Sequence, residues 1–407
     1  MVNYINSSNK TNLTGKKLFY VAYFILLMRL LLLNSTLAQY LDVGSAFYRY
    51  FFRLIAYLLI AVKVLFFDRY SKKVLLVYVF LGVYFVISLF FNKYLMLLEI
   101  FILVIGSHGV DLKSIVQEFF YVASVTCAVL FILSICGVIE NHIAYAGDIP
   151  RYSFGNIYPT DFAASLFYIQ LSHSYTRKKD YNFLTFAFWV LVAFFVLQFS
   201  RARLNFTLIL CFAVVMYLKS LFPGIIKNSV IKKLIIWAVP VFCLLSIFLH
   251  YKYTADNAFL SWVDRALSGR LYYGNQAIED YGFSLFGNYI KMQGWGFSLE
   301  EWDENLGYYF IDCGWLSMAL RFGVLFPIFL CISFMTVSKN AFKNKDYTLP
   351  IILLFLSVTS IVDHHVTEIG YNPFLIVLGV AINQIFTKKR FNNLDIKIKT
   401  KFYAIKK

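Results

Sequence analysis

Charged residues are scarce in this sequence. Only 15% of its 407 residues are charged, whereas 60% are hydrophobic and 20% are aromatic, which is far more apolar than an ordinary soluble domain. The six cysteines form no CxxC or Cys/His cluster of the metal-binding kind. The chain also lacks a visible inverted repeat of the sort that many transporters carry. These features exclude a soluble domain and favour an integral membrane protein.

The positive charge does not point to nucleic acid. The chain has 38 Lys and Arg against 22 Asp and Glu, a formal net charge of +16. The basic residues occur in short clusters between apolar runs and do not form one long patch. Clusters of this kind report the side of the membrane on which a loop lies. We therefore predict membrane lipid, and no nucleic acid, as a partner.

Twelve apolar runs can be recognised, and a spanning helix needs about 20 mostly apolar residues. The runs lie at 18–38, 47–67, 74–91, 94–106, 116–138, 157–175, 183–200, 204–221, 234–250, 310–337, 349–361 and 373–387. The first run loosely resembles a signal peptide, but Arg29 interrupts it, so we predict an uncleaved helix. The fold class predicted is an all-α integral membrane protein with about 12 transmembrane helices.

Alternate loops carry most of the basic residues, which places both termini in the cytoplasm by the positive-inside rule. The predicted organisation is helices 1–9 within 1–250, a large extracytoplasmic loop at 251–307, helices 10–12 within 308–388, and a basic cytoplasmic tail at 389–407. The large loop is rich in Gly, Trp and Tyr, so we predict a folded cap and not a flexible linker. The functional site is expected on this outward face of the cytoplasmic (inner) membrane.

Five arginines lie on the predicted outward side, where arginine is uncommon. They come from three separate segments: Arg151, Arg201, Arg203, Arg265 and Arg270. Guanidinium groups hold phosphate oxygens in a bidentate geometry, so convergent arginines would suit a diphosphate. The alternative for each arginine is a contact with a lipid headgroup, or an ion pair with a nearby carboxylate such as Asp148 or Asp264.

Two short motifs accompany the first of these arginines. Arg151 is followed by Gly155 and by Pro159, which opens an apolar run, and it is therefore placed just outside the membrane. The second motif is Ser-Arg-Ala-Arg, which contains Arg201 and Arg203 at the junction of two predicted helices. Both motifs belong to the same predicted face.

Two further motifs complete the series. Gly269 and Arg270 lie early in the large loop, Gly294-Trp-Gly296 follows, and Asp312-Cys-Gly-Trp-Leu closes it. In order, spacing and placement, the four motifs resemble those of the O-antigen and capsule polymerases of the Wzy type and the related O-antigen ligases. Cys313 stands where that family usually has Asn.

The resemblance implies a fold related to the GT-C glycosyltransferases and a metal-independent reaction without a cofactor. A sugar hydroxyl of one undecaprenyl-diphosphate-linked repeat unit would attack the anomeric carbon of a growing chain on a second carrier. The departing diphosphate gains charge, which fixed cations would stabilise. A chain-length regulator and a flippase are possible partners.

A base for the attacking hydroxyl would come from Asp312, His364, His365 or Glu368. A metal site at Asp363-His-His would need further ligands, of which only Glu368 is near, so a polar helix end is the simpler interpretation. We predict catalytic roles for Arg151, Arg203, Arg270, Asp312 and His365. We predict substrate-binding roles for Arg201, Arg265, Gly155, Pro159, Gly269, His364 and Glu368, and no metal ligand.

Two alternatives remain open at this stage. An O-antigen ligase, which transfers a finished glycan to lipid A core, belongs to the same superfamily and is poorly separated from a polymerase by sequence. A polysaccharide flippase or another secondary transporter would instead place its charges in the middle of the membrane, at discontinuous helices. The large folded loop argues against a transporter.

Overall fold

The computed structural model describes residues 2–41, 46–296 and 302–386. About 72% of the structure is helical, which agrees with the predicted helical membrane protein. The predicted basic tail at 389–407 lies outside the described residues.

The first ten helices cover the N-terminal part of the chain. They are α1 Val2–Leu33, α2 Ala46–Val62, α3 Lys72–Asn92, α4 Leu95–Gly106, α5 Leu112–Ile135, α6 Pro159–Thr176, α7 Phe183–Phe195, α8 Arg203–Leu221, α9 Pro223–Lys227 and α10 Ser229–Tyr251. Two π-helical turns, Lys63–Phe67 and Val196–Ser200, extend α2 and α7. These turns bring both helices to full membrane-spanning length.

Six helices follow, two of them in the predicted large loop. They are α11 Ala258–Ala266, α12 Arg270–Tyr281, α13 Gly314–Arg321, α14 Leu325–Lys343, α15 Thr348–Thr359 and α16 Val377–Phe386. Short 3-10 turns lie at Thr36–Gln39, His365–Thr367 and Pro373–Ile376.

Seven helical segments among the described residues are long and apolar enough to cross a membrane. They are Tyr50–Phe67, Lys72–Asn92, Leu112–Ile135, Phe183–Ser200, Arg203–Leu221, Ser229–Tyr251 and Leu325–Lys343. Leu95–Gly106, Thr348–Thr359 and Pro373–Phe386 are shorter apolar helices. Most of the long segments expose large apolar side chains, as expected where helices face lipid. The prediction of a multi-pass membrane protein is therefore confirmed.

Helix α6 lies at the centre of the bundle and is buried on nearly all sides. It packs against α5, α8 and α15. Its Gln170 is fully buried and donates Nε2 to the carbonyl of Ile209 at 3.0 Å. A helix held from every side is a rigid support for residues at its ends, and Pro159 begins it at the position where a missing N–H costs least.

A β-hairpin precedes α6, where the sequence predicted only a loop. Strands β1 Ile143–Ala146 and β2 Ile149–Tyr152 pair in antiparallel fashion, with Ala146 opposite Ile149. Gly147, with φ +61°, opens the two-residue turn, because a turn of this length needs a residue that tolerates positive φ. The hairpin carries Arg151 and directs it toward the end of the bundle where α6 begins.

Loops at this end of the bundle hydrogen-bond to one another. Thr36 N donates to Gly155 O at 2.9 Å, which joins the end of α1 to the segment before α6. Ile290 N donates to the hydroxyl of Tyr94 at 3.0 Å, which joins the large loop to the start of α4. The large loop therefore packs on the helix ends and does not extend away from them.

Glu99 forms a buried ion cluster between three helices. Its carboxylate pairs with Arg29 of α1 and, at 2.7 Å, with Arg53 Nε of α2. Charges within apolar runs are expensive in lipid and are expected to face the protein interior. The contacts of Glu99, on α4, meet that expectation and tie α1, α2 and α4 together.

The predicted run at 310–337 is not one helix. Helix α13 ends at Arg321 and α14 begins at Leu325, with Gly323 at φ +93° between them. The break accommodates part of the large loop: Val324 N donates to Ser284 O at 3.0 Å and Asn288 N donates to Leu320 O at 2.8 Å. Hydropathy could not reveal this break, because both halves are apolar.

We expect Gly323→Ala to reduce the amount of folded protein strongly. A Cβ at this position would lie 2.1 Å from the carbonyl oxygen of Leu285, and φ is positive as well. The backbone strain alone costs about 1 to 3 kcal/mol, and the overlap adds to it. The measurement is the membrane level by immunoblot, together with the elution profile in detergent.

Gly109→Ala is the matched control. Gly109 also has positive φ, at +71°, but a Cβ there meets nothing within 4 Å. Gly109→Ala should therefore have the backbone strain of Gly323→Ala without its steric overlap. This variant should fold at close to normal levels. Equal behaviour of the two variants would contradict the close packing of the large loop at Gly323.

Candidate functional site

Polar residues from four segments meet at the end of the bundle where α6 begins. Helix α6 supplies Asp161 in its first turn, and the segment 360–372 after α15 supplies two histidines and two acids. Arg270 is the first residue of α12, and Asp312 lies two residues before α13. The site has a buried layer and a partly exposed layer.

The buried layer is a histidine held between two carboxylates. His365 Nδ1 lies 2.5 Å from Asp363 Oδ1, and its Nε2 lies 3.1 Å from Asp161 Oδ1. The His365 side chain is only 4% exposed. Both ring nitrogens are therefore engaged, which leaves none for a substrate.

The charges in this layer stabilise one another. Burial by itself would lower the pKa of His365, but Asp363 and Asp161 outweigh it and raise that pKa well above the usual range. Burial would likewise raise the pKa of Asp363, but the charge and the hydrogen bonds of His365 bring it well below its usual range. His365 is thus held as a buried cation, and its geometry is that of a positioning group.

Asp363, His364 and His365 also present ligand atoms within 4.8 Å of one another. A metal would require neutral histidines, since a protonated ring nitrogen cannot coordinate. The raised pKa of His365 and its hydrogen bonds to two carboxylates favour the proton over a metal ion. The absence of a metal stays a prediction.

We expect Asp363→Asn to destabilise the protein by about 3 kcal/mol, because removing one member of a buried ion pair leaves its partner uncompensated. The stabilisation associated with the raised pKa of His365 is complete below the usual histidine pKa of about 6.5 and is lost as pH rises through the raised value. The loss of stability caused by Asp363→Asn should therefore be largest at pH 6 and smaller at high pH. Thermal unfolding in detergent across pH 5 to 9 measures it.

Asp280→Asn is a suitable control for Asp363→Asn. Asp280 is exposed and accepts a hydrogen bond from Tyr309 OH at 3.1 Å. Loss of this exposed carboxylate should cost little stability. A similar loss for the two variants, or a loss for Asp363→Asn that grows with pH, would contradict the buried imidazolium.

The partly exposed layer contains Arg270, Asp312, His364 and Glu368. Arg270 Nε lies 3.4 Å from Asp312 Oδ2, and His364 Nε2 lies 3.3 Å from Glu368 Oε1. His364 Nδ1 lies 3.9 Å from Asp312 Oδ1, which is too long for a hydrogen bond. These four side chains are between 15% and 26% exposed.

One atom of this layer has no partner. His364 Nδ1 is buried and makes no hydrogen bond within the described part of the chain. Glu368 can only accept a hydrogen bond, so a neutral His364 carries its proton on Nε2 and presents an unprotonated Nδ1 toward Asp312. Burial would raise the pKa of Glu368, but the hydrogen bond from His364 opposes burial and that pKa is lowered, which keeps Glu368 ionised. A hydroxyl group placed beside Nδ1 would find an oriented acceptor.

Aromatic rings enclose the partly exposed layer. Phe310 meets His364 edge to face at a centroid distance of 4.8 Å, and His365 stacks on the other side of His364 at 4.2 Å. Tyr308 lies against Trp295 at 5.7 Å. The pKa of the Tyr308 hydroxyl is raised by burial and by the Asp312 carboxylate, so this tyrosine borders the site. Such rings are common in pockets for carbohydrate or lipid.

The predicted arginines are not equivalent in the structure. Arg151 Nε donates to Ser200 O at 3.1 Å, and its guanidinium lies 5.5 Å from the ring centre of Tyr158. Arg201 and Arg203 follow Ser200 directly and are exposed. The Arg151 contact with Ser200 thus brings Arg151 and the Ser-Arg-Ala-Arg motif together.

Arg265 and Arg270 occupy different surroundings, although they are close in sequence. Arg265 is exposed in the last turn of α11 and forms no salt bridge with any described residue. Asp264 does not pair with an arginine there; its Oδ1 accepts from Leu271 N at 2.8 Å and Tyr272 N at 3.1 Å. Asp264 therefore fixes the start of α12, and with it the position of Arg270.

The three predicted site residues that are glycine or proline have backbone roles. Gly155 has φ +83°, and a Cβ there would lie 2.9 Å from Leu130 O. Gly269, at φ +81°, is the residue on which α12 begins, and Pro159 opens α6. Their substrate contacts stay predictions.

Cys313 has a defined place next to Asp312. Its Sγ lies 2.9 Å from Ser246 Oγ and accepts from Leu316 N at 3.4 Å, which caps α13. It therefore anchors the backbone next to Asp312 and orients that carboxylate.

Asp161 is the residue that sequence reasoning missed. A carboxylate in the first turn of a helix predicted to cross the membrane needs a cationic partner, and that signal was present after Pro159. The partner, His365, is 204 residues away along the chain. Only the fold identifies it.

The chain matches no protein-family model, no curated protein and no solved structure. The geometry of the site therefore carries the functional argument.

Proposed function

We propose that the chain is a Wzy-type polymerase that joins lipid-linked oligosaccharide repeat units. The observation that carries the proposal is the unpartnered Nδ1 of His364, which faces the Asp312 that pairs with Arg270, while Glu368 contacts Nε2 of the same ring. A cation for a leaving diphosphate and an acceptor for a hydroxyl proton lie side by side. The four resembling motifs supply the substrate class.

In this mechanism His364 Nδ1 accepts the proton of the attacking sugar hydroxyl. The hydroxyl oxygen forms a bond to the anomeric carbon as the bond from that carbon to the diphosphate oxygen breaks. The electron pair of the broken bond leaves with the lipid diphosphate. Glu368 stabilises the imidazolium, in the same way that a carboxylate supports histidine in other acid–base sites.

Arg270 stabilises the leaving diphosphate, and Asp312 orients Arg270 through their 3.4 Å contact. Arg151, Arg201 and Arg203 lie on neighbouring segments and extend the positive surface toward a second lipid carrier. A single displacement of this kind inverts the anomeric centre. The reaction needs two lipid-diphosphate substrates, and a flippase and a chain-length regulator would act before and beside it.

The proposal includes a membrane arrangement. Twelve crossings, formed by α1 to α8, α10, α14, α15 and α16, would put both termini in the cytoplasm and the site on the outer face of the cytoplasmic membrane. The crowding of basic residues at the opposite end of the helices supports this orientation. A GT-C-related fold is the corresponding expectation.

Introduced cysteines test the orientation. In a Cys136→Ser/Cys211→Ser background, which removes the two exposed native thiols, Asp256→Cys and Glu279→Cys should react with a membrane-impermeant maleimide in intact spheroplasts. Lys72→Cys, at the opposite end of the bundle, should react only after the membrane is opened. Labelling at 72 together with protection at 256 and 279 would mean that the orientation is inverted.

Two other functions are compatible with parts of the chain. A ligase uses the same chemistry with a different acceptor, so the site geometry fits it equally well. A flippase requires charges at membrane depth, and the buried Glu99 cluster with Arg29 and Arg53 is the feature that favours it. That cluster is compensated and bridges three helices, which suits a structural role.

Deletion of the gene and electrophoresis of the surface polysaccharide separate these functions. Loss of the long-chain ladder, with one repeat unit still attached to its acceptor, supports a polymerase. Long chains that accumulate on undecaprenyl diphosphate indicate a ligase. Repeat units trapped on the cytoplasmic leaflet indicate a transporter. The wild-type gene must restore the ladder in each case.

A further inference from the structure

A second polar cavity lies at the end of the bundle opposite the candidate site. Its volume is about 290 Å³, close to the lower bound for small-molecule sites. It is bordered by the start of α5, the end of α6, the end of α8 and the segment between α14 and α15. Six cationic side chains line it: Lys113, Arg177, Lys178, Lys179, Lys219 and Lys345.

The two acidic residues of the cavity are already engaged. Asp180 pairs with Lys219 Nζ at 3.0 Å. Asp346 Oδ1 accepts from Thr348 N at 3.0 Å and Leu349 N at 3.2 Å, which caps α15. The cavity therefore retains a clear excess of positive charge.

Part of the cationic lining is held in place. Lys219 is only 13% exposed and donates to Thr348 Oγ1 at 2.9 Å as well as pairing with Asp180. Arg177 Nε donates to Lys179 O at 3.1 Å, and its guanidinium lies 5.8 Å from the ring centre of Tyr181. Fixed side chains lose less entropy when an anion binds.

The remaining cations of the cavity are unpaired. Within the described part of the chain, Lys113, Lys178, Lys179 and Lys345 form no salt bridge. The positive-inside rule explains why basic residues lie at this end. It does not explain why four separate segments converge on one cavity and leave four lysines without an acidic partner.

We propose that this cavity binds a phosphate-bearing anion of the size of a phospholipid headgroup. Basic pockets between membrane helices suit such headgroups, and each lysine near the surface contributes to their attraction. The same phosphate chemistry is presented by free diphosphate, so the experiment separates the two sources. The inference does not depend on the proposed transferase activity.

The test uses the full-length protein in neutral detergent and native mass spectrometry. It is titrated separately with phosphatidylglycerol, with phosphatidylcholine as the uncharged comparison, and with inorganic diphosphate. Lys178→Ala/Lys179→Ala should bind phosphatidylglycerol about 30-fold more weakly than the wild type. Lys72→Ala/Lys73→Ala removes two exposed lysines from the start of α3, outside the cavity, and should bind like the wild type.

The outcomes are distinct. Selective weakening of phosphatidylglycerol binding assigns the cavity to a lipid headgroup, whereas selective weakening of diphosphate binding assigns it to a soluble anion. Equal binding by the two double variants, or no preference of the wild type for either anion over phosphatidylcholine, overturns the proposal. If the first double variant does not fold, Lys113→Ala, at an exposed position in the first turn of α5, serves in its place with a smaller loss.

Discussion

Replacing Arg270 by alanine is expected to lower the rate of polymer formation about 100- to 1000-fold with no change in membrane level. Arg270 pairs with Asp312, which also faces His364, and the leaving diphosphate gains charge in the transition state. Loss of one fixed donor of this kind costs about 2.7 to 4 kcal/mol. The measurement is the rate of chain growth by purified protein on lipid-linked repeat units, with the polysaccharide ladder as a cellular readout.

Arg270→Lys separates charge from geometry. Lysine keeps the charge but loses the planar fork that binds two oxygens at once, so this variant should remain clearly impaired. A full recovery with lysine would mean that Arg270 supplies charge alone.

Arg265→Ala is the matched control for Arg270→Ala. It removes the same side chain five positions earlier, from an exposed site at the end of α11 with no ion pair to a described residue. It should leave the rate nearly unchanged. If Arg265→Ala lowers the rate as much as Arg270→Ala, the arginine that contacts Asp312 has no special role. The whole surface of the loop then binds substrate.

The membrane-spanning part of the fold could be read from the sequence because lipid imposes a simple rule. A helix that crosses a bilayer needs a long apolar run, and no other local structure satisfies its backbone there. The runs at 47–67 and 183–200 coincide with Tyr50–Phe67 and Phe183–Ser200. That rule does not apply where a segment is surrounded by protein.

Two features lay beyond hydropathy for this reason. The run at 157–175 predicted helix α6, but it did not show that other helices enclose this helix at the centre of the bundle. The run at 310–337 is broken at Gly323, where the large loop enters between α13 and α14. An apolar composition indicates that a segment contacts lipid or the protein core. It does not show whether the segment is one continuous helix.

The candidate site was predicted in its parts but not in its arrangement. The sequence singled out Arg270, Asp312, His364 and Glu368, because charged residues at the predicted outward ends of the helices indicate a functional role. It assigned catalysis to His365 and substrate binding to His364. The structure gives His365 two carboxylate partners and leaves His364 with an unpartnered nitrogen, and a difference of that kind depends on distant segments.

Removing the imidazole of His364 should therefore give the second large effect. We expect His364→Ala to lower the rate of chain growth about 100- to 10,000-fold, the usual contribution of general acid–base catalysis. Its Nδ1 is the one ring nitrogen of the site that has no hydrogen bond among the described residues, and Glu368 orients it from the other side. Added imidazole should restore part of the activity of this variant, since the substitution leaves a space of matching shape.

Asp312→Asn and Glu368→Gln distinguish this base from its neighbours. Asparagine at 312 keeps the size of the side chain but cannot hold Arg270 by charge, so its effect should be smaller than that of His364→Ala and insensitive to imidazole. Glutamine at 368 still accepts the hydrogen bond from Nε2 but no longer stabilises the imidazolium, so it should lower the rate by an intermediate factor. If Asp312→Asn abolishes activity while His364→Ala retains most of it, the carboxylate of Asp312 is the base, and His364 only helps to position it.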